Sequence, residues 1–231
     1  MKELINILKK CKVFSEKDEK EIESILLKIN YKIKDYEEKD IILSPANKAD
    51  NIGIILLGAV NIEKVFPTGK MILIERRQVG DLIGANSIFS KYEYSTNIVI
   101  SCKASKILYI PKLDLLKLFL IDRKLMYNFI EILSNYSLMF EYKIGLLSLN
   151  SIKEKIAGYL IHALQFDEKI KTSSNIVELP FSKKDWAEFL NVSRTSLSRE
   201  LKSLERERIL TFDKRKIIIN NMEKLNSIIS Y

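Results

Sequence analysis

Residues 181 to 208 read FSKKDWAEFLNVSRTSLSRELKSLERER, and the reading of the whole chain turns on them. Ser182 with Asp185 three residues on forms a capping pair, whose oxygens satisfy N–H groups that a first helical turn leaves open. Trp186, Phe189 and Leu190 then share one helical face. Asn191 follows where the chain must turn sharply, and Asn tolerates left-handed backbone better than most non-glycine residues. Ser193 caps a second helix in which Leu197, Leu201 and Leu204, spaced by four and three, face a core. Arg194, Ser198, Arg199 and Lys202 are left on the opposite side. Two helices about a sharp turn, with arginines and hydroxyls near the start of the second, fit a helix-turn-helix entering a DNA major groove.

Taken alone, this stretch also fits an ordinary amphipathic hairpin with a solvated charged face. The segment after it favours DNA. Ile209 to Phe212 and Ile217 to Asn220 read as two short strands joined through Asp213, Lys214, Arg215 and Lys216, a basic-tipped wing suited to a phosphate backbone.

The chain has 231 residues, 47% hydrophobic, which is room for two domains with real cores. Its formal charge is +8. Residues 151 to 231 hold 15 Lys/Arg against 11 Asp/Glu, so half of that excess sits on about a third of the chain. A basic balance suits a polyanionic partner. Two cysteines, Cys11 and Cys102, make neither a disulfide framework nor the four thiolates of an iron–sulfur cluster. With no cleavable leader and no apolar run of about 18 residues, a cytoplasmic protein without membrane contact is expected.

Residues 2 to 10 and 16 to 29 have helical periodicity, the second started by Ser15 with Asp18. From Tyr31 the pattern becomes short β-branched and aromatic runs, at 31–36, 40–43, 52–57, 59–66, 71–76, 97–101 and 104–110. Pro67-Thr68-Gly69-Lys70 supplies a hairpin turn. These runs predict an antiparallel barrel or sandwich. After Pro111 the chain turns helical, and Leu125, Phe129, Ile132, Tyr136, Met139, Lys143 and Leu146 form an a/d stripe with one polar interruption, at Lys143. That stripe predicts a parallel coiled-coil homodimer with Leu125, Phe129, Ile132, Tyr136, Met139 and Leu146 at the interface; packing wholly inside the monomer is the competing arrangement. Asn150-Ser151 breaks the pattern, and Ser151 with Glu154 caps the next helix. The expected class is α+β: a sensor domain over 1–111, a dimerisation helix and hinge over 112–150, and a winged helix over 151–231.

This order, with Gly58 in ILLGAV, then Val79-Gly80-Asp81-Leu82-Ile83-Gly84, then Cys102-Lys103-Ala104 through Ile110-Pro111 and VSRTSLSREL, resembles the CRP/FNR family of bacterial transcription regulators over essentially the full chain. The resemblance implies a cyclic-nucleotide-binding-like β-roll, a long dimerisation helix and a winged helix-turn-helix. Its partners would be an operator duplex, a second copy of the chain and RNA polymerase. Arg199 would read a guanine of a TTGA-like half-site through its planar fork, and Ser198 a neighbouring base. Thr195 stands where many members place a Glu, which leaves one base pair of the operator open. Arg194, Lys202, Lys214, Arg215 and Lys216 would hold phosphates.

The effector pocket departs from the nucleotide-binding members. After Gly84, Ala85 replaces the Glu that accepts from the ribose, beside Asn86, and Ser95-Thr96 replace the Arg-Ser pair that meets the cyclic phosphate. Phe140-Glu141 stand where the cyclic-AMP sensor has small hydroxyl residues. The pattern opposes cyclic AMP and leaves the effector unidentified. For haem, the remaining axial candidates are Met71 and Cys102, both expected in strand cores, since His162 lies in a C-terminal helix. The recognition stretch most resembles the branch that controls hybrid-cluster-protein genes, with Thr195 in place of its usual proline. An alternative function is a ligand-binding module acting on a protein partner. A lone histidine and the lack of P-loop or HExxH patterns argue against an enzyme.

Overall fold

In a computed structural model the described residues are 1–92, 94, 95, 97–166, 171–180 and 182–229, with the side chain of Lys171 also outside the description. They form two compact units, Met1–Met139 and Phe140–Tyr231.

The first unit opens with helix α1 (Lys2–Leu8), a 3₁₀ turn at Lys12–Phe14 and helix α2 (Glu19–Leu26). Asp18, not Ser15, caps α2: it accepts from the Glu21 N–H at 2.8 Å while Glu21 accepts from the Asp18 N–H at 2.8 Å. The reciprocal box needs an acid at the third helical position, and Glu21 supplies it.

Eight strands follow: β1 (Lys32–Tyr36), β2 (Ile41–Leu43), β3 (Asn51–Leu57), β4 (Ala59–Val65), β5 (Met71–Gln78), β6 (Leu82–Ile83), β7 (Ile98–Ser101) and β8 (Ser105–Pro111). Helix α3 (Ala85–Ile88) lies between β6 and β7; neither it nor β6 has enough residues to show a period. The strands make two four-stranded antiparallel sheets, ordered β1-β8-β3-β6 and β2-β7-β4-β5. The hairpin between β4 and β5 is the expected one, closed by Phe66 N–H to the Lys70 carbonyl at 2.9 Å, with Gly69 at φ +78°. At the β3–β4 corner Gly58 has φ +91°, and a Cβ there would stand 2.6 Å from the Ala104 carbonyl oxygen, so only glycine fits.

Ile42, Ile55, Val60, Ile62, Ile83, Val99 and Ile107 form one core cluster, with members from both sheets. The other buried aliphatic side chains of the first sheet, Ile52, Ile54, Leu56, Leu82, Leu108 and Ile110, join a second core with α1, α2 and the next two helices, α4 (Lys112–Ile121) and α5 (Arg123–Ser148). Burial on both faces explains why β3 reads as an unbroken apolar run instead of alternating.

The second core corrects the expected dimer interface. Leu125, Phe129 and Ile132 are buried in it, and Tyr136 packs against it. Leu146 is likewise buried, within the second unit. Most of the stripe is covered inside the chain, with Met139 half-buried, because the first sheet has a second apolar face that needs a cover. On the opposite side of α5, Tyr127, Ile130 and Leu138 are exposed at 62%, 52% and 62%.

The second unit takes the end of α5, then α6 (Ile152–Phe166), β9 (Lys171–Ser173), β10 (Ile176–Glu178), α7 (Lys183–Phe189), α8 (Arg194–Arg206), β11 (Leu210–Asp213), β12 (Lys216–Ile219) and α9 (Met222–Ser227). The helical run breaks between Ser148 and Ile152 as expected, where Ser151 Oγ accepts from Glu154 N–H at 3.1 Å and Glu154 accepts from Ser151 N–H at 3.3 Å. The wing is the edge of a four-stranded sheet, β11-β12-β10-β9. The sequence showed β11 and β12 but not the short strands β9 and β10. The wing turn is also tighter than expected: Asp213 pairs with Lys216, leaving Lys214, at φ 53°, and Arg215 as the tip.

Candidate nucleic-acid interface and effector cleft

The helix-turn-helix is built by the residues that announced it. Ser182 Oγ accepts from Asp185 N–H at 3.3 Å, and Asp185 accepts from Ser182 N–H at 3.4 Å, which starts α7; Phe181 lies outside the described residues. Asn191 takes the left-handed turn at φ 53°, and Val192 N–H returns to the Ala187 carbonyl at 2.9 Å. Ser193 Oγ then accepts from Ser196 N–H at 3.0 Å to open α8. Trp186, Phe189, Leu190, Leu197, Leu201 and Leu204 are all buried, so each helix is held by one apolar face and the other face of α8 is fixed toward solvent.

On that outer face Arg194, Thr195, Arg199 and Lys202 are exposed and Ser198 is half-buried. The Thr195 hydroxyl lies 2.9 Å from Ser193 Oγ, so it belongs to a hydroxyl cluster at the start of the helix. Lys214, Arg215 and Lys216 are exposed on the wing. Lys183 was missed in the sequence. Its ammonium lies 4.1 Å from the centre of the Phe212 ring, and its pKa is lowered by burial first and by the charges of Arg194 and Lys202 next. It therefore joins α7 and the wing to the basic face of α8. The paired lysines Lys183-Lys184 were the available signal.

Lys143, read as an interruption in the stripe, is a buried structural cation. Its ammonium donates to the backbone carbonyl of Phe189, at the end of α7, where carbonyls lack helical partners. The ring of His162 stacks on Tyr142 at 3.6 Å, a packing role in agreement with the sequence reading.

In the β domain, Gly84, Asn86 and Ser95 line one cleft together with Ser87, Asn97 and Arg77, against the apolar side chains of Leu43, Ile62 and Val99. The cleft is small, with a cavity volume of about 20 Å³, roughly the room of one water. Ala85 is buried and does not line it. Thr96 lies outside the described residues. The Ser95 hydroxyl donates to the Asn97 carbonyl at 2.9 Å and accepts from the Asn97 N–H at 3.3 Å, so it is committed to its own loop. Ser95 holds the place of the family's arginine, and a different guanidinium, Arg77 of β5, reaches the cleft, only 2% exposed. Strand alternation turns Arg77 inward, a direction that Arg76-Arg77 as a dipeptide does not reveal. The donor set still does not fit a cyclic nucleotide, because a methyl stands where the ribose acceptor would be and Ser95 stands where the phosphate's guanidinium would be. The haem candidates fare no better. Met71 is 44% exposed, not core, and Cys102 donates to Asn61 Oδ1 at 3.0 Å. Among the described residues no cluster of three or more His, Cys, Asp or Glu is placed to hold a metal, and no helix is long and apolar enough to cross a membrane.

Comparison with known proteins finds two family models along the chain. A cyclic nucleotide-binding domain model matches residues 33–122, and a Crp-like helix-turn-helix domain model matches residues 154–228. The transcriptional activatory protein AadR of Rhodopseudomonas palustris is 23% identical over 176 residues, 76% of this chain and 72% of that protein. Among solved structures, FixK2 from Bradyrhizobium japonicum superposes with a TM-score of 0.67 at 19% identity, covering 88% of this chain and 99% of that one. A CooA mutant from Carboxydothermus hydrogenoformans superposes with a TM-score of 0.73 at 17% identity, covering 87% and 88%. With a nucleotide-binding-type β domain, a long helix and a Crp-like helix-turn-helix in this order, the chain is a DNA-binding transcription regulator of the CRP/FNR type.

Proposed function

We propose that the protein acts in the cytoplasm as a homodimer that reads a palindromic, TTGA-like operator, under an effector other than cyclic AMP or in a constitutively competent state. The observation that carries this reading is the outer face of α8, where Arg199 stands exposed between Arg194 and Lys202 while Leu197, Leu201 and Leu204 bury the opposite face. Arg199 pairs with a guanine, Ser198 and Thr195 meet neighbouring bases, and Arg194, Lys202, Lys214, Arg215 and Lys216 hold phosphates. Two copies pair along the exposed face of α5, through Tyr127, Ile130 and Leu138, which sets half-sites about one helical turn apart. RNA polymerase is the further partner that the family resemblance supports.

The test compares Arg199→Ala with Lys214→Ala on a palindromic TTGA-containing duplex and on a random one. Arg199→Ala is expected to lose about 1 to 3 kcal/mol on the palindrome alone. Lys214→Ala is expected to weaken both duplexes alike and to lower the salt slope by about one unit. Equal behaviour of the two variants on both duplexes would remove base reading from Arg199.

A further inference from the structure

Thr195 is exposed on the outer face of α8, next to Arg194 and one turn before Arg199, yet its hydroxyl is turned back toward the start of the helix. Ser193 Oγ donates its single proton to Ser196 Oγ at 2.8 Å and accepts from Ser196 N–H at 3.0 Å. One lone pair of Ser193 is left, and the Thr195 hydroxyl, 2.9 Å away, meets it as the donor. With that proton committed, Thr195 has no donor for the N7, O6 or O4 acceptors of a base edge. Nor does it carry the charge with which a carboxylate draws a cytosine amine. Its Cβ bears one more heavy group, the γ-methyl, and β-branching allows few rotamers. Holding the hydroxyl on Ser193 therefore fixes the methyl as the group of this side chain left to face a groove.

We propose that Thr195 reads a thymine through its C5-methyl, so that the base pair left open in each half-site is a T·A pair. The inference rests on the reading of α8 as the base-reading helix. Among the four bases only thymine presents a methyl in the major groove, and an apolar group that covers it takes both methyls out of water. The discrimination is modest beside that of a bidentate arginine. Burying one methyl corresponds to about fourfold in affinity, and to about tenfold or more when both half-sites of a palindrome lose it. Arg199 thus sets a guanine, while Thr195 puts a methyl contact to thymine where a Glu would make a charged contact to cytosine. The operator differs by that one base pair from those of members with Glu at this place.

Fluorescence anisotropy of the full-length protein at fixed salt tests this on palindromic TTGA-containing duplexes that carry each of the four base pairs in turn at every half-site position. Each thymine of the preferred duplex is then replaced in both half-sites by deoxyuridine, which removes the C5-methyl and nothing else. One such replacement is expected to weaken the wild type by about tenfold. The same replacement is expected to leave Thr195→Ser unaffected, because that variant keeps the hydroxyl and lacks the methyl. Thr195→Val, which keeps a methyl and lacks the hydroxyl, is expected to retain the sensitivity. Thr195 is exposed, so both variants are expected to fold as the wild type does. Specific binding in which no deoxyuridine penalty depends on residue 195 overturns the methyl contact alone, as does a preference for cytosine at the position where Thr195→Ser alters selectivity. A wild type that binds the preferred palindrome no better than a random duplex overturns the base-reading role of α8, and this inference with it.

Discussion

The ammonium of Lys143, on α5, stands 3.2 Å from the centre of the Phe189 ring and donates to the backbone carbonyl of the same residue. One cation thus meets both the aromatic face and the open carboxyl end of the first helix of the DNA-reading pair. It clamps the end of α5 onto α7 within the second unit. The cost is burial of a charge, and it makes the clamp sensitive to pH.

Burial, with repulsion from Lys155 as a smaller cause, lowers the Lys143 pKa to about 7. A folded-state value below the free lysine value means that the unfolded chain binds more protons between about pH 7 and 10.5. Stability therefore rises with pH across that window and is flat below it. Urea denaturation of the wild type and of Lys143→Met at several pH values checks this. The difference between them is expected to change by about 2 kcal/mol from pH 7 to pH 9, with the wild type gaining relative to the variant. A pH-independent difference would mean that Lys143 titrates normally.

The two sides of α5 separate folding from association. Phe129→Glu places a charge in the core of the first unit and is expected to cost about 3 to 5 kcal/mol of stability or to prevent folding. Ile130→Glu with Leu138→Glu changes only the exposed face and is expected to leave the circular dichroism spectrum intact while shifting sedimentation from dimer to monomer. A double variant that sediments as a dimer would refute pairing through this face.

The two thiols differ in environment. Cys11 is fully buried and its pKa is pushed up to about 12 by that burial, whereas Cys102 is half-buried. Titration with a thiol-reactive disulfide reagent is expected to label one group per chain in native buffer and two in denaturant. Rapid native labelling of both would show that the N-terminal helices open readily.

The sequence by itself determined the features whose causes are local. Ser182 with Asp185, Asn191 at a left-handed turn and Pro67-Thr68-Gly69-Lys70 act within a few residues, so the helix-turn-helix and the hairpin were legible as written. The outward direction of Arg199 was legible too, since the leucines beside it leave it no other side.

Only the tertiary structure decided what covers an apolar stripe and where a lone charge goes. Leu125, Phe129 and Ile132 had the spacing of a coiled coil, but a stripe states only that it must be buried. The first sheet, apolar on both faces, claimed it before a second copy could. Lys143 looked like an interruption and Arg77 drew no notice, because period and propensity say nothing about distant partners. Their roles came from Glu75, Leu82 and Tyr136 in one unit and from Phe189 in the other, groups brought to them only when the chain folds.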